Sequence, residues 1–188
     1  MTRLFSAIEL PEAVKDHLAG LSDQLAGSRF LDIDGLHLTL RFFGEVDRHL
    51  TREILDGLNA IEAGPIELKI TGLSVFGGAQ PRTLVAAFEA SKALTELQQK
   101  HERIARAAGL GPESRKFSPH ISIARLQGTR PEAVADYIAR AGLIAIPAFQ
   151  VDEFVVMSAK PGGGGPYRVE AAFAFAPRYE DQDETAKT

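Results

Sequence analysis

The feature that most constrains this chain is a pattern written twice: "HLTLRF" at residues 37 to 42 and "HISIAR" at 120 to 125, 83 positions apart. Each segment starts with a histidine and alternates polar with aliphatic residues, the period-2 signature of a strand with one apolar face. His37 and Thr39 then share one face while Leu36, Leu38 and Leu40 share the other; His120 and Ser122 likewise oppose Ile121 and Ile123. An imidazole and a hydroxyl therefore sit side by side, twice, over a back that demands burial.

A lone His-x-Thr or His-x-Ser triplet is common by chance and reads as a half-exposed strand with its polar face in solvent. Two copies, each followed closely by an arginine (Arg41, Arg125), read instead as one site assembled from two halves. The other three of the five histidines, His17, His49 and His101, fall on polar helix faces or at a helix start and are expected at the solvated surface.

Around these segments the chain alternates strand-like and helix-like runs. "RLFSAIEL" (3 to 10) reads as a buried strand, and Pro11 as the first residue of a helix whose stripe Val14, Leu18, Leu21, Leu25 is closed by Gly27. Asp34-Gly35 is a turn signal just before the first histidine segment. Leu50, Ile54, Leu58 and Ile61 mark a second helix ending at Gly64-Pro65. "IELKITGLSVFGG" and "TLVAAFEA" read as an antiparallel pair. The clearest helix starts at a Ser91 cap and carries Leu94, Leu97, Ile104 and Ala108 on its stripe. "RPEAVADYIARAG" is a short helix, "IPAFQVDEFVVMSAK" a strand pair or one long bent strand, and "YRVEAAFAF" a last strand. "PGGGGP" lacks the Lys-Ser/Thr of a phosphate loop and precedes a strand, so it reads as a flexible connection. The β-α-β-β-α-β order, met twice, implies an α+β fold, bilobal, with two pseudo-symmetric antiparallel-sheet-plus-helix lobes around a central cleft. One such domain over residues 1–177 and a frayed tail over 178–188 are expected.

Composition narrows the chemistry. With no cysteine among 188 residues, disulfides, thiolate nucleophiles and thiolate metal sites drop out together. A net charge of −4 with scattered Lys and Arg disfavours long-range binding to a nucleic-acid backbone, yet a pocket gripping one phosphate needs only a few donors. No apolar run approaches the roughly 20 residues of a membrane helix, and Glu9 comes too early for a secretory core, so an untargeted cytoplasmic protein without membrane association is expected. Two imidazoles facing each other across a cleft supply one general base and one general acid near neutral pH, and the hydroxyls with an arginine hold a phosphate. No GxSxG elbow or carboxylate cluster is present, which argues for phosphoester cleavage by acid-base chemistry, with no metal and no cofactor.

These residues resemble a known family. "RLFSAIELPEAV", "LHLTLRFFGEV", "RKFSPHISIAR" and "EFVVMSAKPGGGGPYRVEAAFAF" are similar to the opening strand and helix, the two paired motifs and the closing strands of the two-histidine (2H) phosphoesterases, and within them of the RNA 2′,3′-cyclic phosphodiesterases historically called 2′-5′ RNA ligases. The resemblance covers about residues 3 to 177. It implies metal-independent hydrolysis of a terminal 2′,3′-cyclic phosphate on RNA or a nucleotide to a 2′-phosphate. It further implies His37 as the general acid for the leaving 3′ oxygen, His120 as the base that activates water, Thr39 and Ser122 as phosphate-binding hydroxyls, and Phe42 as a stacking surface for the terminal base. Ser122 stands where the family more often has threonine and keeps the hydroxyl.

Strict alternation puts Arg41 on the His37 face and Arg125 on the face opposite His120, with Phe42 out of phase as well; a twist or bulge at the strand ends would change this. Arg125, more than Arg41, is expected at the phosphate. Arg115 and Lys116 precede the second motif as a solvated basic turn or a steering element, and Tyr167 as strand packing or cleft lining. Alternatives to the cyclic phosphodiesterase are a 2′-5′ RNA ligase or phosphodiesterase, another cyclic-phosphate hydrolase, and a nucleotide-binding module without turnover. A monomer is expected.

Overall fold

The structure, a computed structural model, describes residues 1–21, 25–141, 146–160 and 165–175. The elements run β1 (Thr2–Glu9), α1 (Glu12–Ala19), β2 (Ser28–Phe30), a 3-10 turn (Ile33–Gly35), β3 (His37–Val46), α2 (Arg48–Asn59), β4 (Ile66–Leu68), β5 (Ile70–Phe76), β6 (Thr83–Phe88), α3 (Lys92–Ala107), β7 (His120–Leu126), α4 (Pro131–Ala141), β8 (Phe149–Val151), β9 (Glu153–Ala159) and β10 (Arg168–Ala174).

The main sheet is ordered β10-β9-β1-β3-β7-β6-β5, with β2 also pairing β7, and β4 pairs β8 in a separate two-stranded ribbon. Every pairing is antiparallel. The order makes the pseudo-symmetry concrete. β1-α1-β3-α2-β4 in the first half corresponds to β6-α3-β7-α4-β8 in the second, and the pairings of β3 with β7 and of β4 with β8 join equivalent strands. β3 meets β7 through one residue pair, Leu38 opposite Ile121, and β2 adds three more pairs farther along β7, Phe30 with Ala124, Arg29 with Arg125 and Ser28 with Leu126.

The helices lie on one face. Val14 and Leu18 of α1, Ile54 and Leu58 of α2, Leu94 and Leu97 of α3, and Val134 and Tyr137 of α4 all belong to the core that buries Leu38 and Ile121. Among the described residues the other face carries a small buried cluster, Phe5, Ala7, Val155 and Met157. Burying an aliphatic side chain stabilises by about 1.5–3 kcal/mol, so the apolar backs of both histidine strands decide which face turns inward. The polar faces are thereby left toward the helix-free side.

Ser91 caps α3 as expected, its Oγ accepting from Leu94 N–H at 3.3 Å, and α2 starts at a cap the sequence reading did not name, Asp47 Oδ1 accepting from Leu50 N–H at 2.9 Å. Gly57 on α2 lets Ile104 of α3 approach closely, since a Cβ there would stand 2.8 Å from the Ile104 Cγ2.

Several boundaries differ from expectation. Pro11 caps α1 from outside, and the helix ends at Ala19 with Gly20 as its cap; Leu25 is still buried, but from a segment that no longer belongs to α1. α2 stops at Asn59 in a tightened turn, Ala60 N–H bonding to the Gly57 carbonyl and Ile61 N–H to the Leu58 carbonyl, well before Gly64-Pro65. Ile66–Leu68 leaves the β5–β6 hairpin to pair with β8, so the run read as one strand is two. "IPAFQVDEFVVMSAK" is likewise two strands, β8 and β9, in different sheets. Residues 161–164 of the glycine run and the expected tail over 178–188 lie outside the described residues.

His101 is the sharpest correction. It is fully buried in α3, edge-on to Phe154 with ring centroids 4.5 Å apart, instead of lying at the surface. The buried residues of α3 are Leu94, Leu97, Gln98, His101 and Ala105, so His101 falls on the helical stripe by spacing although its identity is polar.

Candidate active site

The bridge between Leu38 and Ile121 organises the site. In an antiparallel pair the residues before each partner lie diagonally, about 7–8 Å apart between backbones. His37 and His120 hold that diagonal relation across the pair, with Thr39 and Ser122 on the other diagonal. The two strands show the same burial sequence from their histidines onward: half-buried, buried, half-buried, buried, buried, exposed, buried. All four polar side chains of the quartet are half-buried on the side away from the helices.

Each imidazole is held in the same way. His37 Nδ1–H donates to the Gly35 carbonyl at 2.7 Å, and His120 Nδ1–H donates to the Ser118 carbonyl at 2.7 Å. A carbonyl only accepts, so Nδ1 carries the proton in both neutral rings and Nε2 is left as the free nitrogen. The partner is two residues upstream in each case: the 3-10 turn presents Gly35, and the segment entering β7 presents Ser118. Burial pushes the His37 pKa below the ordinary imidazole value, the Gly35 carbonyl opposes this, and His120 adds to the lowering.

Strict alternation fails at the same place in both strands. Along β1, Ala7 is opposite Thr39 and Ser6 opposite Arg41, skipping Leu40; along β6, Val85 is opposite Ser122 and Leu84 opposite Ala124, skipping Ile123. Each strand thus carries one extra residue, a β-bulge, just after its motif. The bulge reverses the phase and brings the fifth residue after each histidine, Phe42 and Arg125, to the histidine face.

Arg41 consequently goes to the helix side. It is 7% exposed, its Nε lies 2.6 Å from Glu102 Oε2 as an ion pair without an aligned N–H, and its Nη2 donates to the Gly111 carbonyl at 2.6 Å. Glu113 Oε2 is 3.7 Å from Arg41 Nη1, and Glu113 N–H donates to Glu102 Oε1 at 3.1 Å. Arg41 is therefore a strut between β3, α3 and the segment that leads into His120, and the expectation that it shares the His37 face is corrected.

Aromatic side chains flank the quartet. Phe5 lies 4.9 Å from the His37 ring and 5.5 Å from Phe42, while Tyr167 meets His37 edge-on at 5.0 Å. Phe76 meets the His120 ring edge-on at 4.6 Å and is 39% exposed. Tyr167 thus both packs on Phe5 and stands beside His37. Phe5 and Phe76 escaped sequence reading because each sits in an apolar strand far from the motifs; only the pairing of β1 with β3 and of β5 with β6 beside β7 brings them in. Phe42 is 49% exposed, and Arg125, Arg115 and Lys116 are exposed. Among the described residues no three His, Cys, Asp or Glu side chains converge as a metal-ligand group.

Two imidazoles with free Nε2 atoms on one surface can accept a proton on one side of a bound group and donate one on the other, and two hydroxyls can hold its oxygens.

The chain matches known proteins along most of its length. It is 27% identical over 174 residues to the RNA 2′,3′-cyclic phosphodiesterase of Methanothermobacter thermautotrophicus, covering 87% of this chain and 93% of that protein. It is 31% identical over 136 residues to the RNA 2′,3′-cyclic phosphodiesterase of Methanocaldococcus jannaschii, covering 66% of this chain and 72% of that protein. Its fold is similar to that of TT0787 of Thermus thermophilus, with a TM-score of 0.75 and 23% identity over 94% of this chain and 100% of that one. It is also similar to E. coli LigT, with a TM-score of 0.72 and 21% identity over 93% and 97% of the two chains. A family model described as the 2′-5′ RNA ligase superfamily matches residues 10–163, and the chain belongs to that superfamily of two-histidine phosphoesterases.

Proposed function

We propose that this protein hydrolyses a terminal 2′,3′-cyclic phosphate, on RNA or a nucleotide, to a 2′-phosphate without a metal ion. The observation that carries the reading is the mirrored histidine pair: two rings in diagonal positions, each with Nδ1–H held by a carbonyl two residues upstream and Nε2 free. The names of the relatives in Methanothermobacter and Methanocaldococcus point to the same reaction.

In this mechanism His120 Nε2 takes a proton from water as its oxygen attacks phosphorus. The bond from phosphorus to the 3′ oxygen breaks, and His37 gives that oxygen its proton. Thr39 and Ser122 donate to the non-bridging oxygens. Phe42 stacks on the terminal base, and Arg125, five residues beyond His120 on the same face, adds positive charge beside the strand that leads to the cyclic end rather than at the cyclic phosphate itself. A strained five-membered cyclic diester suits a site built from side chains alone, because its leaving oxygen needs only a proton. Burial disfavours the His37 imidazolium in the free protein, and the anionic phosphate between the rings restores it where the leaving group needs it.

The test is hydrolysis of a 2′,3′-cyclic mononucleotide by the intact protein and by His37→Ala and His120→Ala, with and without EDTA. Each substitution is expected to lower kcat by about 10²- to 10⁴-fold, the usual weight of a general acid or base, with chelator inert. Full activity in both variants, or strong inhibition by EDTA, would sink the mechanism. Running the same assay with 2′-5′-linked oligonucleotides separates hydrolysis of the cyclic end from cleavage or joining of a 2′-5′ linkage.

A further inference from the structure

An arginine-lined groove lies beyond the second histidine along β7, with Arg125 of its lining on the histidine face. The groove, of about 650 Å³, is lined by Arg29, Arg82, Arg125, Arg130 and Thr129, and arginines are its only charged lining residues. In a chain of net charge −4 this concentration of positive charge needs a reason. Arg29 of β2 is directly opposite Arg125 of β7, a like-charge cross-strand pair that is destabilising unless something offsets it. Among the described residues none of the four is ion-paired with a carboxylate. Thr129, 7% exposed, has a hydroxyl with no hydrogen-bond partner, and α4 begins directly after Arg130, so free N–H groups of its first turn stand at the same end.

The position along β7 decides what the groove serves. Arg125 is five residues beyond His120, about 16 Å along a strand, so the groove starts well past the place between the two imidazoles. We infer that Arg29, Arg82, Arg125 and Arg130 bind the phosphodiester backbone of an RNA strand upstream of its cyclic end, so that the substrate is an oligoribonucleotide in preference to a mononucleotide. This rests on the proposed cyclic-phosphate reaction and specifies its substrate. Arginine forks match phosphodiester oxygens, and filling the groove relieves the repulsion between Arg29 and Arg125. The bulge after Ser122 is what aligns groove and quartet, because it returns Arg125 to the histidine face.

The experiment compares the intact protein with Arg82→Ala/Arg130→Ala and the charge-keeping Arg82→Lys/Arg130→Lys. Both residues are exposed and lie outside the histidine strands. Substrates are 2′,3′-cyclic AMP and a ten-nucleotide RNA ending in a 2′,3′-cyclic phosphate. For the alanine pair, kcat/KM on the oligonucleotide is expected to fall at least tenfold while that on the mononucleotide changes less than twofold, and the lysine pair recovers most of the loss. The dependence of oligonucleotide kcat/KM on salt should flatten by about 0.7 in log-log slope per phosphate contact removed. Equal loss on both substrates, or no loss on either, overturns the groove. If the intact protein hydrolyses neither substrate, fluorescence anisotropy with the same RNA carrying a 2′-phosphate decides separately. Affinity lost in the alanine pair then keeps the groove while the hydrolytic reading falls; affinity unchanged sinks the groove as well.

Discussion

Leu38 and Ile121 face each other as the single residue pair joining β3 to β7, and both are fully buried. The two histidine strands therefore share one hinge of apolar contact. Leu38→Ala or Ile121→Ala should cost about 2–5 kcal/mol in urea unfolding, the usual range for such truncations. Because the same pair sets the diagonal between His37 and His120, kcat/KM of the folded variant should fall by up to about 100-fold, as a misplacement near 1 Å does. Unchanged kcat/KM alongside lost stability would show that the diagonal is held elsewhere.

The hydroxyls are expected to bind an anion. Thr39→Val and Ser122→Ala should each cost about 1.5–3 kcal/mol of transition-state binding, roughly 10- to 150-fold in kcat/KM, while Ser122→Thr stays near the parent. An unaffected Thr39→Val would remove the hydroxyl from the phosphate.

Arg41 separates a structural role from a substrate role. Arg41→Met leaves Glu102, 20% exposed, without its cation and should cost about 3 kcal/mol or more, as breaking a buried pair does. Adding Glu102→Gln should return part of that stability. KM for a cyclic nucleotide should stay unchanged in the folded fraction; a large rise in KM at full stability would put Arg41 at the phosphate after all.

The two lowered histidines give separate pH signatures. Burial lowers the pKa of His101 to about 3 from 6.5. The folded value lies below the unfolded one, so the unfolded chain binds the extra proton and stability falls with pH from about 6.5 down to 3, at up to about 1.4 kcal/mol per unit. Above that window His101 has no such effect. His101→Phe should abolish this slope in acid unfolding; a slope that persists would assign acid sensitivity to other groups.

His37 acts on rate. As a general acid it must be protonated in the free protein for kcat/KM, and its lowered pKa means this form is lost below pH 6.5 as pH rises. The descending limb of the kcat/KM profile should accordingly lie on the acid side of 6.5. A substrate whose 3′ oxygen is replaced by sulfur, which leaves without a proton, should rescue His37→Ala and not His120→Ala. The reverse pattern would exchange the two roles.

Much of this molecule was written locally. The period-2 alternation in "HLTLRF" and "HISIAR" set two strands with apolar backs, the caps Asp47 and Ser91 set two helix starts, and the repeated element order announced two related halves. These features depend on neighbours a few residues apart, which is what periodicity and capping report. The boundaries of α1 and α2 were not legible, because helix ends are settled by which residues the rest of the core accepts.

The phase of Arg41, Phe42 and Arg125 could not be read from spacing, since a bulge exists only relative to a partner strand: β1 skips Leu40 and β6 skips Ile123. Burial of His101 likewise depended on Phe154, 53 residues on, supplying an apolar wall for a ring that its own helix would leave at the surface. The histidine strands and their polar faces are thus properties of the sequence itself, whereas the aromatic walls, the strut at Arg41 and the arginine groove were decided by tertiary structure. The reason is physical: local pattern fixes which face of a strand is apolar, but only long-range pairing chooses which distant side chains share the other face.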